Sequence, residues 1–130
     1  MIVDTSALIA ILKDEPEAQV FAKVIEDAKV IRVSAGTYLE AHILVDPYPN
    51  PILRARLEEI FENPGLTIEP VTQEQAKIAR QAYRDFGKGS GHKAALNYGD
   101  CFSYALAKDK REPILFKGGD FNHTDLRAAV

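Results

Sequence analysis

The sequence holds a single cysteine, Cys101, so no disulfide can form within the chain, and a disulfide-stapled secreted scaffold is excluded. A reducing, cytoplasmic setting is the expectation. No apolar run approaches the roughly 20 residues a bilayer-crossing helix requires. A secretory leader is not expected either, because Met1 leads into Asp4 without a basic segment, and Asp14 and Glu15 close the short apolar stretch that follows. Basic surplus is also lacking: 16 Lys and Arg face 19 Asp and Glu, for a net charge of −3. That balance argues against a grip on nucleic acid through overall charge, although carboxylates neutralised locally by cations would leave the remaining surface free to attract phosphate. There is no internal repeat, no low-complexity tract and no G-x-G-x-x-G. The glycine-rich GKGSGHK at 87–93 lacks the phosphate-loop spacing and follows a predicted helix where that motif follows a strand. His42, His92 and His123 have no ligand spacing.

What is present fits one ordinary domain. With 130 residues, 46% apolar and 27% charged, the chain can bury a core without staples, and residues 1–130 read as a single unit. Residues 1–4 predict a buried strand, and Thr5–Lys13 a helix with capping hydroxyls in Thr5 and Ser6. Pro16–Asp27 is a second helix, Val30–Val33 a strand, and Ser34 caps a helix over Ala35–Val45. Three prolines between Pro47 and Pro51 force a loop. Further helices are expected over Pro51–Phe61, from the Thr72/Gln75 capping box to Phe86, and over Asn97–Lys110, with strands at Leu66–Glu69 and Pro113–Phe116. Strands alternating with helices at this rhythm predict an α/β sandwich with a central, mostly parallel sheet flanked by helices.

The acids fall at telling places on that skeleton. Asp4 ends the first strand, Glu40 lies in the helix after the second, Asp100 opens the helix before the last strand, and Asp120 follows that strand. Open parallel sheets bind ligands beyond the carboxyl ends of their strands. Carboxylates brought together there repel unless a cation sits among them, which predicts a hard, oxygen-liganded ion, Mg2+ or Mn2+, of the kind that serves phosphodiester chemistry. Each acid also has an ordinary reading: Asp4 as a helix cap, Glu40 as a solvated side chain, Asp100 as a favourable charge at a helix start, Asp120 as a turn residue. Spacing alone does not establish convergence.

The segments IVDTSAL, SAGTYLEA, ARQAYRDFGKGSGHKAALNYGDCFSYALAK and PILFKGGDF, in that order and covering nearly the whole chain, resemble a PIN-domain ribonuclease of the VapC toxin type. The resemblance implies a PIN-like α/β/α fold, Mg2+- or Mn2+-dependent cleavage of RNA by metal-activated water, and inhibition by a cognate VapB-type antitoxin. It matches Asp4, Glu40 and Asp100 to the metal-binding acids and Asp120 to the fourth. Ser6 and Asn97 match polar residues beside the first and third. The chain departs from the pattern at Gly119, where relatives often carry another acid, so Asp120, Asp125 or a water stands as the fourth ligand.

Lys77, Arg80 and Arg84 line one face of the 72–86 helix, opposite Ala79, Ala82, Tyr83 and Phe86, and Lys88 and Lys93 continue the basic stripe. Arg80, Arg84, Lys88 and Lys93 are the expected RNA contacts, against the plainer reading of a solvated face. Cys101, Tyr98, Phe102, Tyr104 and Leu106 read as core. Exposed apolar surface near the proline-rich loop is expected to serve a homodimer or antitoxin docking. Two other classes compete: a receiver-like phosphoacceptor domain, which Lys117 after the last strand would suit, and a catalytically silent PIN-like binding module.

Overall fold

Ile2 and Val3 point to opposite faces of the sheet, as successive strand residues must, and both are buried, so the first strand is covered on both sides. The computed structural model describes residues 1–130. Its elements are β1 (Ile2–Val3), α1 (Thr5–Leu12), α2 (Ala18–Asp27), β2 (Ile31–Ser34), α3 (Ala35–Val45), α4 (Pro51–Phe61), β3 (Leu66–Glu69), α5 (Gln73–Phe86), α6 (Tyr98–Lys110) and β4 (Ile114–Leu115). A short 3-10 turn follows at Phe121–His123.

The sheet runs β3-β2-β1-β4, and every pairing is parallel. Val3, Ile31, Val33 and Leu115 pack with Leu8, Leu12, Phe21, Ile25 and Leu57 of α1, α2 and α4. Ile2 and Ile114 pack with Leu96, Tyr104, Leu106 and Phe121 on the other side. The result is the expected three-layer sandwich. No helix is long and apolar enough to cross a membrane.

The chain builds outward from β1 to β2 and β3, then returns to place β4 on the opposite side of β1. The strand order therefore reverses between β1 and β4, and the crevice at such a reversal is where open α/β sheets take ligands. The two strand exits are fastened together there. The Asp4 amide donates to the Leu115 carbonyl at 3.0 Å, and the Lys117 amide donates to Ser6 Oγ at 3.0 Å.

Local signals set most boundaries. Ser34, Asn50, Thr72 and Asn97 each cap the helix that follows. Two expectations are corrected. The cap of α1 is Asp4, whose carboxylate accepts from the Ser6 amide, while Thr5 and Ser6 are already helical. The Thr72/Gln75 box forms only half: Thr72 Oγ1 accepts from the Gln75 amide, but buried Gln75 turns its side chain to Asp109 at 3.0 Å. The reciprocal box occurs instead between Asn97 and Asp100. Helix α2 begins at Ala18, after a turn containing Pro16.

Candidate active site

Asp4 is 3% exposed, an unusual position for a carboxylate without a cationic partner. Its Oδ2 accepts from the Ser6 amide at 3.0 Å and from Ser6 Oγ at 2.7 Å. Ser6 thus holds Asp4 while receiving the Lys117 amide, which ties the exits of β1 and β4 to one hydroxyl. The other oxygen, Oδ1, makes no hydrogen bond within the chain.

Glu40 reaches the same region because α3 and α6 cross closely. A Cβ on Gly36 would overlap the Phe102 ring, and a Cβ on Gly99 would overlap the Glu40 carboxylate. Thr37 and Ser103 share a buried hydroxyl hydrogen bond of 3.0 Å at the crossing. Small residues on both helices therefore let Glu40 lie against the first turn of α6, one residue from Asp100. Thr5 Oγ1 donates to Glu40 Oε1 at 2.5 Å and fixes its other side.

Asp100 sits at the third position of α6, where its Oδ2 accepts from the Asn97 amide at 2.9 Å while Asn97 Oδ1 accepts from the Asp100 amide at 2.9 Å. Burial pushes the Asp100 pKa up, the Asn97 amide pulls it back, and the negative charges of Asp4, Asp120 and Glu40 raise it again, to about 7. The other three expected acids thus all bear on Asp100. Asp120 is exposed and makes no capping hydrogen bond at the start of its turn. Asp125 lies apart: it accepts from Tyr104 Oη at 2.6 Å and Lys108 Nζ at 2.7 Å. Burial opposes its charge, but those two partners outweigh it and hold its pKa below the ordinary value.

The donor set is all oxygen, and Asp4, Glu40 and Asp100 each keep one oxygen free of hydrogen bonds within the chain while the other is anchored. No three His, Cys, Asp or Glu side chains form a ready-made group that would hold an ion. This is not the closed cage of a structural zinc site. Mg2+ binds through one or two carboxylates and keeps several waters, so a looser acidic cluster whose members repel suits it in charge and donor type.

Other residues depart from expectation. Tyr98 is 78% exposed and Tyr83 43% exposed, so neither is core. Both line a groove between α5 and α6 together with Phe102. Arg80, Arg84, Lys88 and Lys93 are exposed and form no ion pair, while Lys77 lies 3.8 Å from Glu74. The 87–93 segment is pinned by the Lys88 amide to the Leu96 carbonyl at 2.7 Å and the Leu96 amide to the Phe86 carbonyl at 2.8 Å. Lys117 is committed to Glu15 at 2.7 Å and Glu17 at 3.2 Å, which withdraws it from any phosphoacceptor role. Burial, and then the Asp100 charge, push the Cys101 thiol up to about 11, so it is no nucleophile at neutral pH. Thr5, expected only as a capping hydroxyl, holds Glu40 instead, and Gly99 carries no expected role; glycines within α3 and α6, Gly36 and Gly99, are the sequence signal for that close crossing.

Gly99→Ala isolates the positioning of Glu40. Alanine suits a helix better than glycine by about 1 kcal/mol, so stability should change little, but the new methyl displaces the Glu40 carboxylate. Cleavage of RNA is expected to fall about tenfold with an unchanged melting temperature. Wild-type turnover would show that the position of Glu40 does not matter.

The parallel sheet reversing at β1/β4 accords with a PIN domain, and the chain belongs to that family: the PIN domain model matches residues 1–126. Within it the chain belongs with the VapC ribonucleases. It is 53% identical over 130 residues, 100% of this chain and 98% of the relative, to VapC ribonuclease Mb0625 of Mycobacterium bovis. The same values hold for Ribonuclease VapC28 of Mycobacterium tuberculosis. The fold is shared with Mycobacterium tuberculosis VapC20, a sarcin-ricin loop cleaving toxin, at TM-score 0.73 and 19% identity over 96% of this chain and 95% of that one. It is also shared with VapBC2 of Rickettsia felis, solved bound to a DNA fragment from their promoter, at TM-score 0.75 and 12% identity over 98% of this chain and 95% of that one.

Proposed function

We propose that the chain is a cytoplasmic endoribonuclease toxin that hydrolyses RNA phosphodiesters with Mg2+ or Mn2+ held by Asp4, Glu40, Asp100 and Asp120, and that a VapB-type antitoxin restrains it. The observation that carries this reading is that Asp4, Glu40 and Asp100 are each anchored through one carboxylate oxygen and leave the other unpaired, with Glu40 lying against Gly99 beside Asp100. Asp4, buried and anchored by Ser6, fixes one side of the site, and Glu40, held between Thr5 and Gly99, fixes another. Asn97 keeps Asp100 at the helix start with one oxygen free of hydrogen bonds. Asp120, exposed after β4, is the fourth acid of the proposed set. A bound cation would polarise the phosphoryl group, acidify a water for in-line attack and stabilise the leaving oxygen, and hydrolysis of that kind would leave a 5′-phosphate and a 3′-hydroxyl.

Exposed Leu39, Ile43 and Leu44 on α3, Tyr48 in the proline-rich loop and Ile52 on α4 form an apolar strip that supports protein partners, the antitoxin and a second copy of the chain. The test is purified protein with total RNA, with and without Mg2+, followed by mapping of 5′ ends. Discrete new 5′-phosphate ends should appear only with the cation. An unchanged RNA pool, or equal cleavage in chelator, would overturn the reading.

A further inference from the structure

We infer that the groove between α5 and α6 seats an unpaired nucleobase of the RNA, stacked on Tyr98, an inference that rests on the ribonuclease reading. Tyr98 opens α6 two residues before Asp100 and presents 78% of its surface to solvent. Phe102 meets it edge to face at a centroid distance of 5.0 Å and 82°, which steadies the ring and leaves a face available. Tyr83, Arg80 and Val71 line the same groove, whose volume of about 400 Å3 lies within the range of ligand clefts.

The chemistry of the walls favours a base over an apolar peptide. Arg80 is a cation without an acidic partner, suited to a phosphate or to stacking against a planar ring. On the same helix Arg84 is likewise exposed and free of ion pairs. An aromatic platform beside unpaired cations is how single-stranded nucleic acid is held without sequence readout. Tyr98 and Asp100 share the first turn of α6. The apolar strip that suits protein partners lies on other elements, α3 and α4.

The test is the affinity of the full chain for a randomised pool of short fluorescein-labelled single-stranded RNAs, by anisotropy in EDTA so that no cleavage intervenes. Tyr98→Ala should weaken binding about tenfold, and Tyr98→Phe, which keeps the ring, should stay within about twofold of wild type. Exposure of Tyr98 makes both variants compatible with the fold, which circular dichroism checks. Equal affinity of Tyr98→Ala and wild type, or no measurable wild-type binding, overturns the inference. So does a change in oligomeric state on size exclusion with RNA affinity unchanged, which would assign the groove to a second copy. Tyr98-dependent binding by a wild-type chain that cleaves nothing with Mg2+ would uphold the stacking site while sinking the ribonuclease reading.

Discussion

Asp100→Asn should give a chain that no longer cleaves RNA yet melts at a higher temperature than wild type in metal-free buffer at pH 7. The loss of cleavage follows from the proposed site: an amide cannot supply the charge that holds a divalent cation, so turnover should drop to about one-hundredth of wild type or less. Asp4→Asn should lose as much, because asparagine caps a helix about as well as aspartate and the fold has no other need of the Asp4 charge. The gain in stability is particular to Asp100. Its folded pKa of about 7 lies above the ordinary value of 3.8, so the folded state holds the proton more tightly than the unfolded state does. Stability is fully present below about pH 4, is lost as pH rises through 7, and stays at its reduced level above that. A neutral asparagine escapes the loss. After allowance for screening at a partly exposed group, the gain at pH 7 is about 1–3 kcal/mol. Removing a negative charge from a helix start costs about 0.3–1 kcal/mol, and Asn Oδ1 still accepts from the Asn97 amide, so the gain wins. Circular-dichroism melts at pH 4.0 and 7.0 decide it: the two proteins should converge at the lower pH, and a variant less stable than wild type at both would refute the charge argument.

The legible parts of this fold were those set by neighbours in sequence. Ser34 before Ala35 and Asn50 before Pro51 define helix starts through contacts two residues away, and α3 and α4 begin where those caps place them. Three of the four acids, Asp4, Asp100 and Asp120, were legible as strand-exit or helix-start residues, and the strand order sets β1 beside β4, whose exits precede Asp4 and Asp120. Distant partners were not legible. Gln75 abandons its local cap for Asp109, and Lys117 turns to Glu15 and Glu17, 102 and 100 positions away. Helical periodicity puts Tyr83 on the apolar side of α5 and Tyr98 among apolar neighbours on α6, but it cannot say that a groove is left between the two helices. Gly36 and Gly99 signal a close approach, but nothing local to either announces that it is α3 and α6 whose crossing their missing side chains admit.

Mg2+ or Mn2+ should raise the melting temperature of the wild-type chain, and the rise should grow with pH. A cation that binds the folded cluster and not the unfolded chain stabilises by mass action, about 2.7 kcal/mol when present at about 100 times its dissociation constant. For a domain of this size that is a shift of several degrees. The ion must compete with the proton on Asp100. Below pH 7 that proton occupies the carboxylate in the metal-free protein, so the shift should be largest at pH 7 and above, shrink through pH 6, and be small near pH 5. EDTA should abolish it. Asp4→Asn and Asp100→Asn should each lose most of it, while Asp125→Asn, whose carboxylate is committed to Tyr104 and Lys108, should keep it. Asp125→Asn therefore serves as the control that separates specific binding from general screening of an acidic surface. Scanning calorimetry of the four proteins across pH 5–8 reads all of this at once, and an equal cation shift in wild type and Asp100→Asn would show that the ion stabilises the chain from somewhere other than the β1/β4 crevice.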